Sequence, residues 1–174
     1  RPDEEQMGRL AAQALLEGHH RDIGVIELDP NDGEAAPGRR VGCRTYLEQA
    51  GIPWSTVHVA VGHGTARDGY AAASRLLTDH PWLTGLVCGN DCMAMGAYAA
   101  IREQGLRVRE DVAVIGIDDQ ELIADQVHPA LTTVALPFEE MGQVAVSHLL
   151  ALMEGEEVPA ETLLPGTIIR RSSA

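Results

Sequence analysis

The feature that most constrains this chain is a regular alternation of element types. Short aliphatic runs of strand length take turns with segments of helical periodicity, and glycine or proline stands at most of the junctions. Ile23 to Leu28, Thr56 to Val61, Leu83 to Cys88, Asp111 to Ile117, Leu131 to Ala135 and Thr162 to Arg170 read as strands. Helices are predicted from Asp3 to Gly18, Arg39 to Ala50, Ala66 to Asp79, Cys92 to Gln104 and Pro137 to Glu154, with a polar loop over Asp29 to Gly38. Asp3 followed by Gln6 has the spacing of a capping box. Parallel neighbours need long crossovers, and these are almost always right-handed. The expected fold class is therefore α/β, a Rossmann-like parallel sheet with helices on both faces.

At 174 residues the chain has the size of one ordinary domain, with aliphatic and alanine side chains to fill its core because only 3% of residues are aromatic. Its formal charge of −13 repels a phosphate backbone, so this segment by itself is not expected to grip nucleic acid. All 13 basic residues are arginine, which removes every lysine-dependent chemistry. Gly62-His63-Gly64-Thr65 thus fails as a Walker-type phosphate loop and reads as a structural turn. Likewise, Asp118-Asp119 lacks the lysine that a phosphoacceptor site needs. No Gly-x-Ser-x-Gly elbow occurs, and Cys43, Cys88 and Cys92 have neither disulfide nor zinc spacing. Neither a catalytic residue, nor a metal site, nor a cofactor is expected. His19-His20 reads as the end of the first helix, where donors meet the last carbonyls. No apolar run approaches the roughly 20 residues of a membrane span, and the N-terminus is unlike a signal peptide. The expected location is the cytoplasm, with no membrane partner.

Ligands of open parallel sheets bind beyond the carboxyl ends of the strands, so the residues just after each strand carry the chemistry. Those loops offer Arg39, His63, Thr65, Asn90, Asp91, Asp118 and Asp119 to one rim. An arginine fork, an amide and a carboxylate in one cleft can bind adjacent hydroxyls, which suits a sugar or similar polar metabolite. Taken singly, Asn90 and Asp118 read equally well as caps or turn residues, and Arg39 as half of a surface ion pair.

The run Val87-Cys88-Gly89-Asn90-Asp91-Cys92-Met93-Ala94-Met95-Gly96-Ala97 resembles the most recognisable stretch of the LacI/GalR family of transcriptional regulators. Gly105 to Asp119, Pro129 to Val134, Met141-Gly142 and Ile169 to Ser173 continue the resemblance in the family's order, and Arg39-x-x-Gly42 precedes them. It covers essentially the whole chain. The resemblance implies a periplasmic-binding-protein-like effector region of two lobes, closing on a small effector to control DNA affinity in a homodimer. Residues 1–136 would be the C-terminal lobe, 137–155 a crossover helix that normally packs on an N-terminal lobe, and 156–174 the final strand and tail. By this resemblance the first lobe and a helix-turn-helix head are expected to lie outside these residues, and DNA would be reached only through the head.

By the same resemblance, Arg39 clamps effector hydroxyls or carboxylate, Asn90 supplies the amide, Asp118 accepts, and Phe138 forms an apolar wall. His63, Gly64 and Asp91 are further candidate contacts. Gly64 departs from the pattern, because many members place an effector-stacking aromatic there, and Cys43 and His19 depart at an aromatic and a glycine position. Two other functions stay open: a transport-linked sugar-binding protein of the same fold, and a sugar-converting enzyme with Asp118 as base. The missing export signal and the unpaired cysteines weigh against the first, and the second requires turnover.

Overall fold

A computed structural model describes residues 1–31 and 33–174; position 32, inside the expected loop, lies outside the described residues. The chain order is α1 (Glu4–Glu17), β1 (Ile23–Leu28), α2 (Ala35–Gln49), β2 (His58–Gly62), α3 (Ala66–Asp79), β3 (Gly85–Cys88), α4 (Asp91–Glu103), β4 (Ala113–Asp118), β5 (Thr132–Ala135), α5 (Phe138–Met153) and β6 (Thr167–Ile169). One six-stranded sheet has the order β2-β1-β3-β4-β5-β6. The first five strands are parallel, and β6 returns antiparallel on β5.

Fully buried strands read as continuous aliphatic runs, and β3 and β4 do so because helices cover both faces of the sheet. Met7, Leu15, Leu47, Val25, Val87 and Ile115 form the core under α1 and α2. Leu76, Leu77, Met93, Ile101, Leu86 and Val114 form the opposite core under α3 and α4. The two helix pairs pack closely because glycines remove side chains at their crossings. A Cβ on Gly8 would strike the backbone of Arg39, and one on Gly96 would strike that of Ala66.

Several boundaries differ from the sequence reading. The second helix begins at Ala35, four residues earlier, because Pro37 is tolerated in a first turn, where its missing N–H has no intrahelical partner. A short 3-10 turn at Trp54–Thr56 takes Thr56, the residue expected to start the second strand, which begins instead at His58. Strand β6 is only three residues long, since Pro165 and Gly166 interrupt the run from Thr162. The capping box is half formed: Asp3 accepts from the Gln6 amide at 2.9 Å, but the Gln6 side chain bonds the backbone of Gly166. At the end of α1, backbone amides of His19 and His20 close the last carbonyls, with His19 at φ +63°. Burial and the neighbouring His19 lower the His20 pKa.

Candidate functional site

Parallel register brings the carboxyl ends of β1, β3, β4 and β5 to one rim, where Ile26 pairs with Cys88 and Asp118 with Ala135. Arg39 reaches this rim from the second turn of α2, and it is buried. Its Nε donates to Glu4 Oε2 at 2.7 Å, one terminal nitrogen donates to the Gly89 carbonyl at 2.5 Å, and the other lies 3.2 Å from Asp118 Oδ1. The planar fork thus ties the start of α1 to the ends of β3 and β4, and its five donors make such a three-way junction natural. Burial raises the Asp118 pKa, while the Arg39 charge and the Gln120 amide oppose that rise.

Glu4, a member of this junction, is absent from the sequence-based candidates. Its only local signal is an acid in a first helical turn, which the helix dipole explains equally well. Its value arises from the close α1–α2 crossing.

Asn90 is the N-cap of α4, accepting from the Met93 amide at 2.8 Å, and its own amide donates to the Gly64 carbonyl at 3.0 Å. The capping reading of Asn90 therefore holds, together with a place on the rim beside Gly89. Gly64 sits at φ +75°, where an L side chain is strained, so the aromatic of related sequences is disfavoured in this loop conformation. His63 is exposed, and its backbone amide donates to Asp68 Oδ2 at 3.3 Å. Thr65 caps α3.

Asp118 and Asp119 occupy left-handed backbone conformations, with φ +123° and +55°. Gln120 follows, donating from its side chain to Asp118 Oδ2 at 3.2 Å, and Arg171 lies 2.8 Å from Asp119 Oδ1. Phe138 begins α5 three residues beyond Ala135 and is 64% exposed.

Asp91 requires a correction as a candidate direct contact, because it is fully buried. Its carboxylate accepts from Thr133 Oγ1 at 2.6 Å and from the Gln120 amide at 2.8 Å. Burial pushes its pKa up to about 7, against the lowering effect of those two bonds. Cys88 is buried in β3, and half-buried Cys92 donates to Gln120 Oε1 at 3.6 Å. Among the described residues, no cluster of three His, Cys, Asp or Glu could hold a metal ion. The arrangement offers anchored donors and acceptors at an open rim, suited to holding polar groups.

The profile of a periplasmic binding protein-like domain matches residues 12–174. The chain is 39% identical over 171 residues to the HTH-type transcriptional repressor PurR of Yersinia pestis (strain Antiqua), covering 96% of this chain and 49% of that protein. It thus spans about half the length of the curated relatives it matches. A LacI-family transcriptional regulator from Rhizobium etli superposes with a TM-score of 0.91 and 31% identity, over 100% of this chain and 64% of that one. The transcriptional regulator CelR in complex with cellobiose superposes equally well, with a TM-score of 0.91 and 34% identity, over 99% of this chain and 53% of that one.

Proposed function

The chain belongs to the periplasmic binding protein-like domain family, in the form found as the effector-binding region of LacI/GalR regulators, and from that membership we propose that its rim senses a small polar metabolite, with a sugar as the best chemical match. The observation that carries this reading is the meeting of Arg39, the Gly89 carbonyl and Asp118 beside Asn90 at the carboxyl end of the sheet. Vicinal hydroxyls need donors and acceptors at fixed separation, and a buried arginine fork beside a carboxylate supplies both. The cellobiose complex of CelR supports a sugar as the ligand class. His63 and Asn90 flank the same rim.

We place residues 1–136 in one lobe and 137–155 in a helix that packs on a second lobe. None of the 16 residues of α5 is buried, and Phe138, Leu149, Leu152 and Met153 are all exposed, as a helix shared with another lobe would be. Ligand held between lobes would favour the closed form by its differential affinity and so set DNA binding by a helix-turn-helix head, in a cytoplasmic homodimer. No helix of the described residues is long and apolar enough to cross a membrane. The named relatives are regulators, which favours sensing over catalysis and over the transport-linked alternative.

Thermal-shift screening of the two-lobe protein against sugars and nucleobases tests this, since a ligand that binds only the native state raises its melting temperature. At least one compound should shift the wild type and not an Arg39→Ala variant. An identical response in both proteins removes Arg39 from the site.

A further inference from the structure

Apart from the rim itself, Asp91 stands out among the described residues as a fully buried carboxylate with no cation as its direct partner. It sits in the first turn of α4, beneath the rim. Two donors from different elements converge on it: the Thr133 hydroxyl from β5 and the Gln120 amide from the connection after β4. Gly116 in β4 passes so close that a Cβ there would collide with Asp91 Oδ1. The strand therefore carries a glycine at the point where the carboxylate lies against it.

Those contacts lead to the rim by a short path. Gln120, held through its backbone by Asp91, donates from its side chain to Asp118 Oδ2 at 3.2 Å, and the other oxygen of Asp118 faces Arg39. Thr133 Oγ1 also accepts from the Asp119 amide at 3.4 Å. Asp118 and Asp119 both have positive φ without being glycine, a conformation that persists only where the surroundings impose it.

We propose that Asp91 is a positioning residue: from below the rim it fixes the Asp118–Gln120 turn, and through Gln120 it aims the Asp118 carboxylate at Arg39 and at the ligand. A carboxyl group suits this role because each of its two oxygens accepts from one of the two converging donors. The step to ligand affinity rests on the effector reading of the rim. The control of the turn does not.

Amide hydrogen exchange separates the two. In Asp91→Ala and in the near-isosteric Thr133→Val, the amides of Asp119 and Gln120 should exchange at least tenfold faster, while core amides such as Val87 and Ile115 keep their protection. Asp91→Asn should restore most of that protection, since its carbonyl can accept from Gln120 while its amide donates to Thr133. Protection of 119–120 unchanged in both variants, or lost equally throughout the chain, overturns the proposal. Should Asp91→Ala not fold, Thr133→Val and Asp91→Asn decide it. In parallel, cellobiose titrations on the two-lobe protein should show at least tenfold weaker binding in Thr133→Val than in the wild type, with Asp91→Asn close to wild type. Undiminished cellobiose affinity with a loosened turn overturns the aiming role. If neither wild type nor Arg39→Ala binds any sugar, the effector reading fails, and the exchange result alone decides what Asp91 does.

Discussion

At the scale of single residues, the molecule spends its buried polar groups on a few junctions. Arg39 lies between Glu4 and Asp118, so removing it would leave two carboxylates near one another in a poorly solvated place. Breaking a buried ion pair by deleting one partner costs about 3–5 kcal/mol, and Arg39→Met should fall in that range in urea unfolding at pH 7. The loss should shrink at pH 5, because burial raises the Asp118 pKa and the substitution removes the Arg39 charge that opposes that rise; an equal loss at both pH values would argue against this origin. Asp91 gives a second pH signature. Its pKa of about 7 lies above the ordinary 3.8, so between those values the folded chain holds a proton that the unfolded chain has lost. This carboxyl therefore lowers stability as pH rises from about 4 to 7, and the full loss persists above. Asp118 and Asp119 reinforce the raised pKa, while Thr133 and Gln120 oppose it. Asp91→Asn should have a flatter profile across that window, measured as the difference in urea midpoint from wild type between pH 5 and pH 8.

At the scale of elements, caps and close crossings place the site. Asn90 caps α4 and clips the Gly64 loop, so Asn90→Ala should cost roughly 0.5–2 kcal/mol in denaturant unfolding. A cost near zero would show that another group takes over the cap. Gly8 and Gly42 let α1 lie on α2, which is how Glu4 comes to meet Arg39. Gly42→Ala meets the Glu5 carbonyl rather than a flexible side chain, and an overpacked contact of this kind costs about 1–3 kcal/mol. Calorimetry should show that loss, and the response to ligand should weaken with it because the junction carrying Arg39 is displaced.

At the scale of the whole molecule, the parallel sheet and its four packed helices form a closed unit, whereas α5 leaves an aliphatic face open. Leu149→Gln with Leu152→Gln should change stability by less than about 0.5 kcal/mol, as expected for surface positions. The same pair should reduce binding of a hydrophobic dye by residues 1–174 alone, because it removes exposed aliphatic surface. A large loss of stability would instead mean that α5 belongs to the core of this lobe.

The alternation of aliphatic runs with helical periodicity settled the class of fold and pointed to the sheet edge proposed to hold the site, because both follow from local periodicity and right-handed crossovers. The ordered motifs around Asn90 and Asp118 likewise marked the family. What periodicity cannot encode is which groups meet across 35 or more residues: the Glu4–Arg39 bond and the Asp91–Thr133 bond depend on helix crossings and strand register. Burial decided the rest. An aspartate in a first helical turn can face solvent or serve as a hidden acceptor, and only the packed environment turned Asp91 from a contact at the rim into a support beneath it.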